Sequence, residues 1–113
     1  MDGQITIAYL REAVWQFVAA RHWEGYHTPK NLAMSIAIEA VEIMEHFQWL
    51  TPEESRRYLQ DPETRAAVAD ELADVLIYCL SLANQGGIDL SAAVQAKLAR
   101  NEERFPISEG RIS

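Results

Sequence analysis

A single cysteine, Cys79, stands in this chain of 113 residues. No intrachain disulfide can form, and one thiol with three scattered histidines does not make a soft-ligand zinc site. Cys79 lies within "VLIYCLSL", where a thiol reads as a small buried apolar group in a reducing cytoplasm. Basic residues are also scarce: ten Lys and Arg face 17 Asp and Glu, a net charge of −7. Binding to a nucleic-acid polymer rests on a basic surface, so no such partner is expected. A mononucleotide remains open, because divalent cations can stand between an acidic protein and a phosphate chain. No apolar run approaches the ~20 residues of a membrane span, and "MDGQITIAYLREAVWQF" lacks a basic leader, so neither a membrane partner nor a secretory signal is expected. Strand signals are weak and internal repeats absent. With no long linker either, the length implies one domain over residues 1–113.

Helix punctuation, by contrast, is plentiful. Ile7, Leu10, Val14, Phe17 and Val18 space an apolar stripe that predicts a helix from about Thr6 to His22. "EGYHTPKN" interrupts it, and Thr28-Pro29 reads as an N-cap with proline at the first helical position of a second helix, reaching about Trp49. Thr51-Pro52 and Asp61-Pro62 repeat that signal, for a short helix and then a long one that Gly86-Gly87 stops. Ser91 can cap a last helix through about Arg104, with Pro106 blocking its continuation and the tail "ISEGRIS" expected to lack regular structure.

The second and fourth of these helices are apolar on nearly every side. Leu32, Ile36, Ile38, Val41, Ile43, Met44 and Phe47 ring one; Val68, Leu72, Val75, Leu76, Ile77, Leu80 and Leu82 ring the other. A helix hydrophobic all round must be buried, and two flanking helices cannot cover both. The expected architecture is all-α, a four-helix-bundle-type core with one short extra helix, completed by homo-oligomerisation.

Polar residues fall in narrow lines against this background. Asn31, Ser35, Glu39, Glu42 and His46 share one face of the second helix, and Glu71, Asp74, Tyr78, Ser81 and Gln85 one face of the fourth. Lys97, Asn101 and Arg104 form a third line on the last helix. A lone E-x-x-E is common on solvated helix faces. Here Glu39-x-x-Glu42 and Glu71-x-x-Asp74 sit among apolar neighbours, and desolvating even one carboxylate costs several kcal/mol. One Lys and one Arg cannot balance four acids; hard divalent cations can, since Mg²⁺ and Mn²⁺ prefer carboxylates and leave part of their shell for substrate phosphates. Glu45 and Asp70 lie just off these lines, Glu45 read as solvated or supporting and Asp70 as either. A di-iron bundle would need E-x-x-H on two helices. The only copy, "EGYH" at 24–27, is a loop, and His46 stands four residues after Glu42.

"RHWEGYHTPKNLAMSIAIEAVEIMEHFQWL" and "VADELADVLIYCLSLANQGGIDLSAAVQAKLARNEERFP" together resemble the all-α NTP pyrophosphatase (MazG-like) superfamily, nearest its dCTP pyrophosphatase branch, from about Phe17 to Pro106. The motifs are W-E-x-[YF]-H-x-P-x-N-L, the two acid pairs, F-Q-W after the first, D-V-L-I-Y after the second, and K-x-x-x-N-x-x-R-[FY]-P. Some relatives continue well beyond the final Pro. The resemblance implies hydrolysis of a (d)NTP to the monophosphate and pyrophosphate, in nucleotide-pool cleansing. It implies Mg²⁺ at Glu39, Glu42, Glu71 and Asp74, with Lys97, Asn101 and Arg104 near the phosphates and a dimer or dimer of dimers. Within that reading Glu42 takes the proton of the attacking water and Lys97 adds charge at the phosphates. Trp23, Tyr26 and Trp49 offer stacking faces, although helix-end packing explains the tryptophans as well. His27 and Asn31 can bond a base edge or sugar, Tyr78 can pack on deoxyribose, and Trp15, outside every motif, is structural. Two other readings remain open: a phosphoribosyl-ATP pyrophosphohydrolase-like enzyme, and a non-catalytic nucleotide-sensing dimerisation module.

Overall fold

The computed structural model describes residues 1–108, 111 and 112. Five helices follow one another: α1 (Ile7–Ala20), α2 (Pro29–Phe47), α3 (Pro52–Tyr58), α4 (Pro62–Gly86) and α5 (Leu90–Arg104). A single 3₁₀ turn, Glu24–Tyr26, links α1 to α2. The all-α class is as expected, and most helix starts lie where the sequence puts them. Thr6, Thr28, Thr51 and Asp61 each cap a helix through the side-chain oxygen, and Thr51 with Glu54 closes a reciprocal capping box. The last start is a correction. Asp89, not Ser91, accepts from the Ala92 N–H, because a carboxylate two residues after the left-handed Gly87 already reaches the first free amides.

The tail is a second correction. Ile107–Ser108 (β1) pairs antiparallel with Arg111–Ile112 (β2), while residues 109, 110 and 113 lie outside the described residues. Two residues are too few to show any periodicity in sequence.

α2 and α4 form the central contact and run antiparallel. His27, just before α2, reaches Ser81 late in α4, whereas Glu42 meets the early Glu71. α1 lies along the other side of α4. Val18, Leu32, Val68, Leu80 and Ala83 are the buried apolar residues of this three-helix unit. Arg11 locks α1 to the end of α4: its Nε donates to Asn84 Oδ1 (3.1 Å) and its guanidinium to the carbonyls of Ala83 (3.1 Å) and Ile88. Asn84 returns a bond to the Arg11 carbonyl at 3.0 Å. These contacts join α1 to the turn at Gly87, where the Ala83 carbonyl also accepts from the Gly87 and Ile88 N–H groups.

α5 stands apart. Every residue from Ser91 to Arg100 is exposed, and the radius of gyration, 17.2 Å, exceeds the about 13 Å of a compact domain this size. Ile38, Val41, Met44, Leu72, Leu76 and Ile77 on the central helices are likewise exposed. Among the described residues the long helices therefore form a packed unit of three, with α5 largely uncovered.

Arg11→Met should keep the stem's packing but remove the guanidinium donors of the clamp, leaving only the Asn84 bond to the backbone carbonyl. We expect the unfolding free energy to fall by about 2 kcal/mol, read as a lower urea midpoint at fixed protein concentration.

Candidate active site

Glu39 and Glu42 occupy one face of α2, and Glu71 faces them from α4. One carboxylate oxygen from each lies within 4.8 Å of the other two. All three residues are half-buried. Two of their oxygens, Glu39 Oε2 and Glu71 Oε2, are fully buried without a hydrogen-bond partner. Orphaned carboxylate oxygens are costly unless a proton or a cation answers them.

Titration follows from that arrangement. The Glu71 carboxyl is pushed up to about 7 from its ordinary 4.5. A hydrogen bond with Glu42 is the main cause, then burial, then the charges of Glu42, Glu39 and Asp74. Glu39 is raised as well, first by burial, then by its hydrogen bond with Glu42 and the charges of Glu42 and Asp74. The arrangement thus favours the protonated carboxyl at Glu39 and Glu71. Its donors are all carboxylate oxygens, the set that suits a hard divalent ion, so the residues fit a metal of that class.

Asp74, one turn after Glu71, is exposed and lies outside the group of three. It lines instead an apolar groove of about 600 Å³ between α1 and α4, together with Leu10, Val14, Phe17, Trp23, His27 and Tyr78. Asp74 therefore joins the carboxylates to the groove. Trp23 reaches it through a left-handed residue, His22 (φ 55°), which ends α1. The Trp23 N–H returns to the Val18 carbonyl and the His22 N–H to that of Ala19, closing the helix end in a Schellman turn. Trp23 then packs edge-on against Phe17 with ring centroids 5.6 Å apart. His27 Nδ1 lies 2.9 Å from Ser81 Oγ, and its ring sits 6.3 Å from that of Tyr78.

The other candidate residues are dispersed. Asn31 donates from Nδ2 to the Tyr26 carbonyl at 3.1 Å, so it braces the loop before α2. Tyr26 is 74% exposed. Trp49, 87% exposed, lies past the far end of α2, a helix about 28 Å long, so within one chain it stands far from Trp23. Lys97, Asn101 and Arg104 ride on the unpartnered α5. Trp15 is on α1 and half-exposed. Glu45 borders a second cavity, and Asp70 is exposed. Two partners escaped sequence reasoning. Ser81 was visible on the polar line of α4, but its bond to His27 was not; Tyr58, which bonds His46, carries no signal in its seven-residue helix.

The profile of the MazG-like family matches residues 34–113. The chain belongs to the MazG-like family. dCTP pyrophosphatase 1 of Bos taurus is 38% identical to this MazG-like chain over 112 residues, 99% of the chain and 66% of that protein. The Homo sapiens protein of the same name is 39% identical over 108 residues, 96% and 64% respectively. The chain thus spans just under two thirds of the length of these curated relatives. A crystal structure of a pyrophosphatase from Archaeoglobus fulgidus is 40% identical, with a TM-score of 0.80 over 85% of this chain and 88% of that one. Among the described residues no helix is long and apolar enough to cross a membrane.

The raised Glu71 gives a testable pH dependence. Its folded-state value lies above the ordinary one, so the native state binds the proton more tightly than the unfolded chain does. That stabilisation is complete below pH 4.5 and is lost as pH rises to about 7. Without metal, Tm should fall across this window; millimolar Mg²⁺ or Mn²⁺ should restore it at the upper end, and Glu71→Gln should flatten the dependence. Calorimetric scans at several pH values check all three.

Proposed function

We propose that this MazG-like chain is a divalent-metal-dependent nucleoside triphosphate pyrophosphohydrolase, converting a (d)NTP and water to the (d)NMP and pyrophosphate, with dCTP-type nucleotides as substrate class. The observation that carries the reading is the three-carboxylate cluster opening onto an aromatic-lined groove through Asp74. The names of its relatives, dCTP pyrophosphatase and pyrophosphatase, support hydrolysis over a non-catalytic or phosphoribosyl-ATP role. A cytoplasmic, pool-cleansing role suits a chain with one free thiol and no membrane-crossing helix among the described residues.

Mg²⁺ held by Glu39, Glu42, Glu71 and Asp74, with Mn²⁺ as substitute, would supply positive charge to the phosphates and polarise the attacking water. The chain's own residues do the rest. The groove takes the base against Trp23, with Tyr78 beside the sugar. His27 has one ring nitrogen occupied by Ser81, so a single nitrogen remains for a base or sugar edge. The water oxygen attacks the α-phosphorus, the bond from that phosphorus to the α–β bridging oxygen breaks, and pyrophosphate departs. Glu42, at the centre of the carboxylate group, takes the water's proton.

α5 completes the site in a homo-oligomer. Leu90, Val94 and Leu98 recur every four residues as an apolar stripe; Val94 and Leu98 are 55% and 57% exposed. At 100° per residue, Lys97, Asn101 and Arg104 border that same stripe. Whatever surface covers the stripe therefore receives all three polar groups. A second copy offers such a surface in the exposed apolar residues of α2 and α4, and would bring Lys97 to phosphates and Trp49 to a base that its own chain cannot reach.

Two measurements test the proposal. A screen of dNTPs with Mg²⁺ should show pyrophosphate release, fastest for a dCTP-type nucleotide, and Glu39→Gln should cut turnover by at least about 100-fold, as expected for loss of a preorganised charge at the reacting phosphate. Inorganic phosphate and a diphosphate as products would overturn the bond assignment. Sedimentation at micromolar concentration should find no folded monomer.

A further inference from the structure

On the far side of the carboxylates from the groove lies a second cavity, of about 440 Å³, lined by Glu42, Glu45, His46, Tyr58 and Glu71. Three of these five are carboxylates, which accept hydrogen bonds when ionised; only His46 and Tyr58 can donate. The two donors are joined. His46 Nδ1 and Tyr58 Oη are 2.7 Å apart, with ring centroids at 5.6 Å in an edge-on arrangement. Phe47 packs on Tyr58 from another side at 5.3 Å, and Thr64 Oγ1 donates to the Tyr58 carbonyl. Tyr58 is thus held by ring, hydroxyl and backbone. If the hydroxyl donates to Nδ1, the tautomer on which the proposal below is built, the imidazole carries its proton on Nε2, for which the described residues offer no protein partner.

Position gives this proton a use. From His27, just before α2, the order along that helix is Glu39, Glu42, then His46; along the antiparallel α4 it is Tyr78, Asp74, Glu71. The groove, the carboxylates and the second cavity therefore lie in a line. Tyr78 is seven residues from Glu71, about 10 Å of helix on one side, and His46 is four from Glu42, about 6 Å on the other. A nucleotide with its sugar at Tyr78 and its α-phosphate at the carboxylates directs its β- and γ-phosphates toward His46.

We propose that His46, its tautomer set by Tyr58, donates from Nε2 to an oxygen of the pyrophosphate end of the substrate and of the departing pyrophosphate. This rests on the hydrolase reading. His46 is a positioning residue rather than the proton acceptor. Because Glu42, Glu45 and Glu71 share the cavity, the anion enters only with cations on the carboxylates, so the contact is linked to metal.

Two isosteric changes separate this role from a plain tie between α2 and α3. Glutamine places an amide nitrogen near the Nε2 position and forfeits the Tyr58 bond; asparagine places one near Nδ1 and forfeits the donor in the cavity. Binding is measured calorimetrically, with inorganic pyrophosphate plus Mg²⁺ and separately with dCMP. In His46→Asn the pyrophosphate Kd should rise roughly 10-fold, the worth of a hydrogen bond to a charged group, while His46→Gln stays within about two-fold and dCMP affinity holds in both. The reverse ranking, equal weakening of both ligands, or no change would overturn the proposal. Turnover of dNTPs is read on the same wild-type preparation. Absence of pyrophosphate release there defeats the hydrolase reading, whereas the ranking of the two variants in pyrophosphate binding decides His46.

Discussion

Carboxylates pressed together between two apolar helices are the constraint around which this molecule is arranged. Glu39, Glu42 and Glu71 repel one another at close range, and two of their oxygens are sealed from water without a partner. Left to themselves they would oppose the α2–α4 packing that brings them together. A proton relieves this crowding, and the hydrogen bond with Glu42, burial and the neighbouring charges together push the Glu71 carboxyl up to about 7. Cations answer it better, because they neutralise more charge per site and leave coordination positions for phosphate. The same cost that makes the site a poor place for acids makes it a good place for metal.

The rest of the fold serves that contact. Arg11 and the left-handed Gly87 terminate α4 and fix α1 beside it, so the groove opens next to Asp74 rather than elsewhere. The Schellman turn at His22 delivers Trp23 to the rim of that groove. On the other flank, α3 has no buried residue of its own, yet through Tyr58 it sets the orientation of His46. Each accessory element orients one side chain toward a common axis.

Much of this was legible in the sequence, for a physical reason. Thr-Pro and Asp-Pro starts act locally, through a side-chain oxygen and a fixed φ, so Thr28, Thr51 and Asp61 could be read without knowing the fold. The acid lines were legible because helical periodicity maps spacing onto a face. Tertiary partners were not. The His27–Ser81 and His46–Tyr58 bonds join residues from different elements, and neither spacing nor composition encodes them. The cap of α5 was missed because Asp89 and Ser91 are both competent; which one serves depends on where Gly87 turns the chain. Trp23 and Trp49 look like a pair in sequence because both flank the acid-bearing helix, yet they flank opposite ends of it.

α5 carries a consequence of a different kind. It has 15 residues and almost no tertiary support, close to the length at which an isolated helix is only marginally formed in water. In the proposed homo-oligomer its order would be coupled to association: part of the free energy gained when a second copy covers Leu90, Val94 and Leu98 would go into fixing the helix itself. Such an interface is weaker per unit area than one between two prefolded faces. It also places Lys97, Asn101 and Arg104 only when it is made, so the backbone amides of this segment should report assembly through their hydrogen-exchange protection before any other part of the chain does.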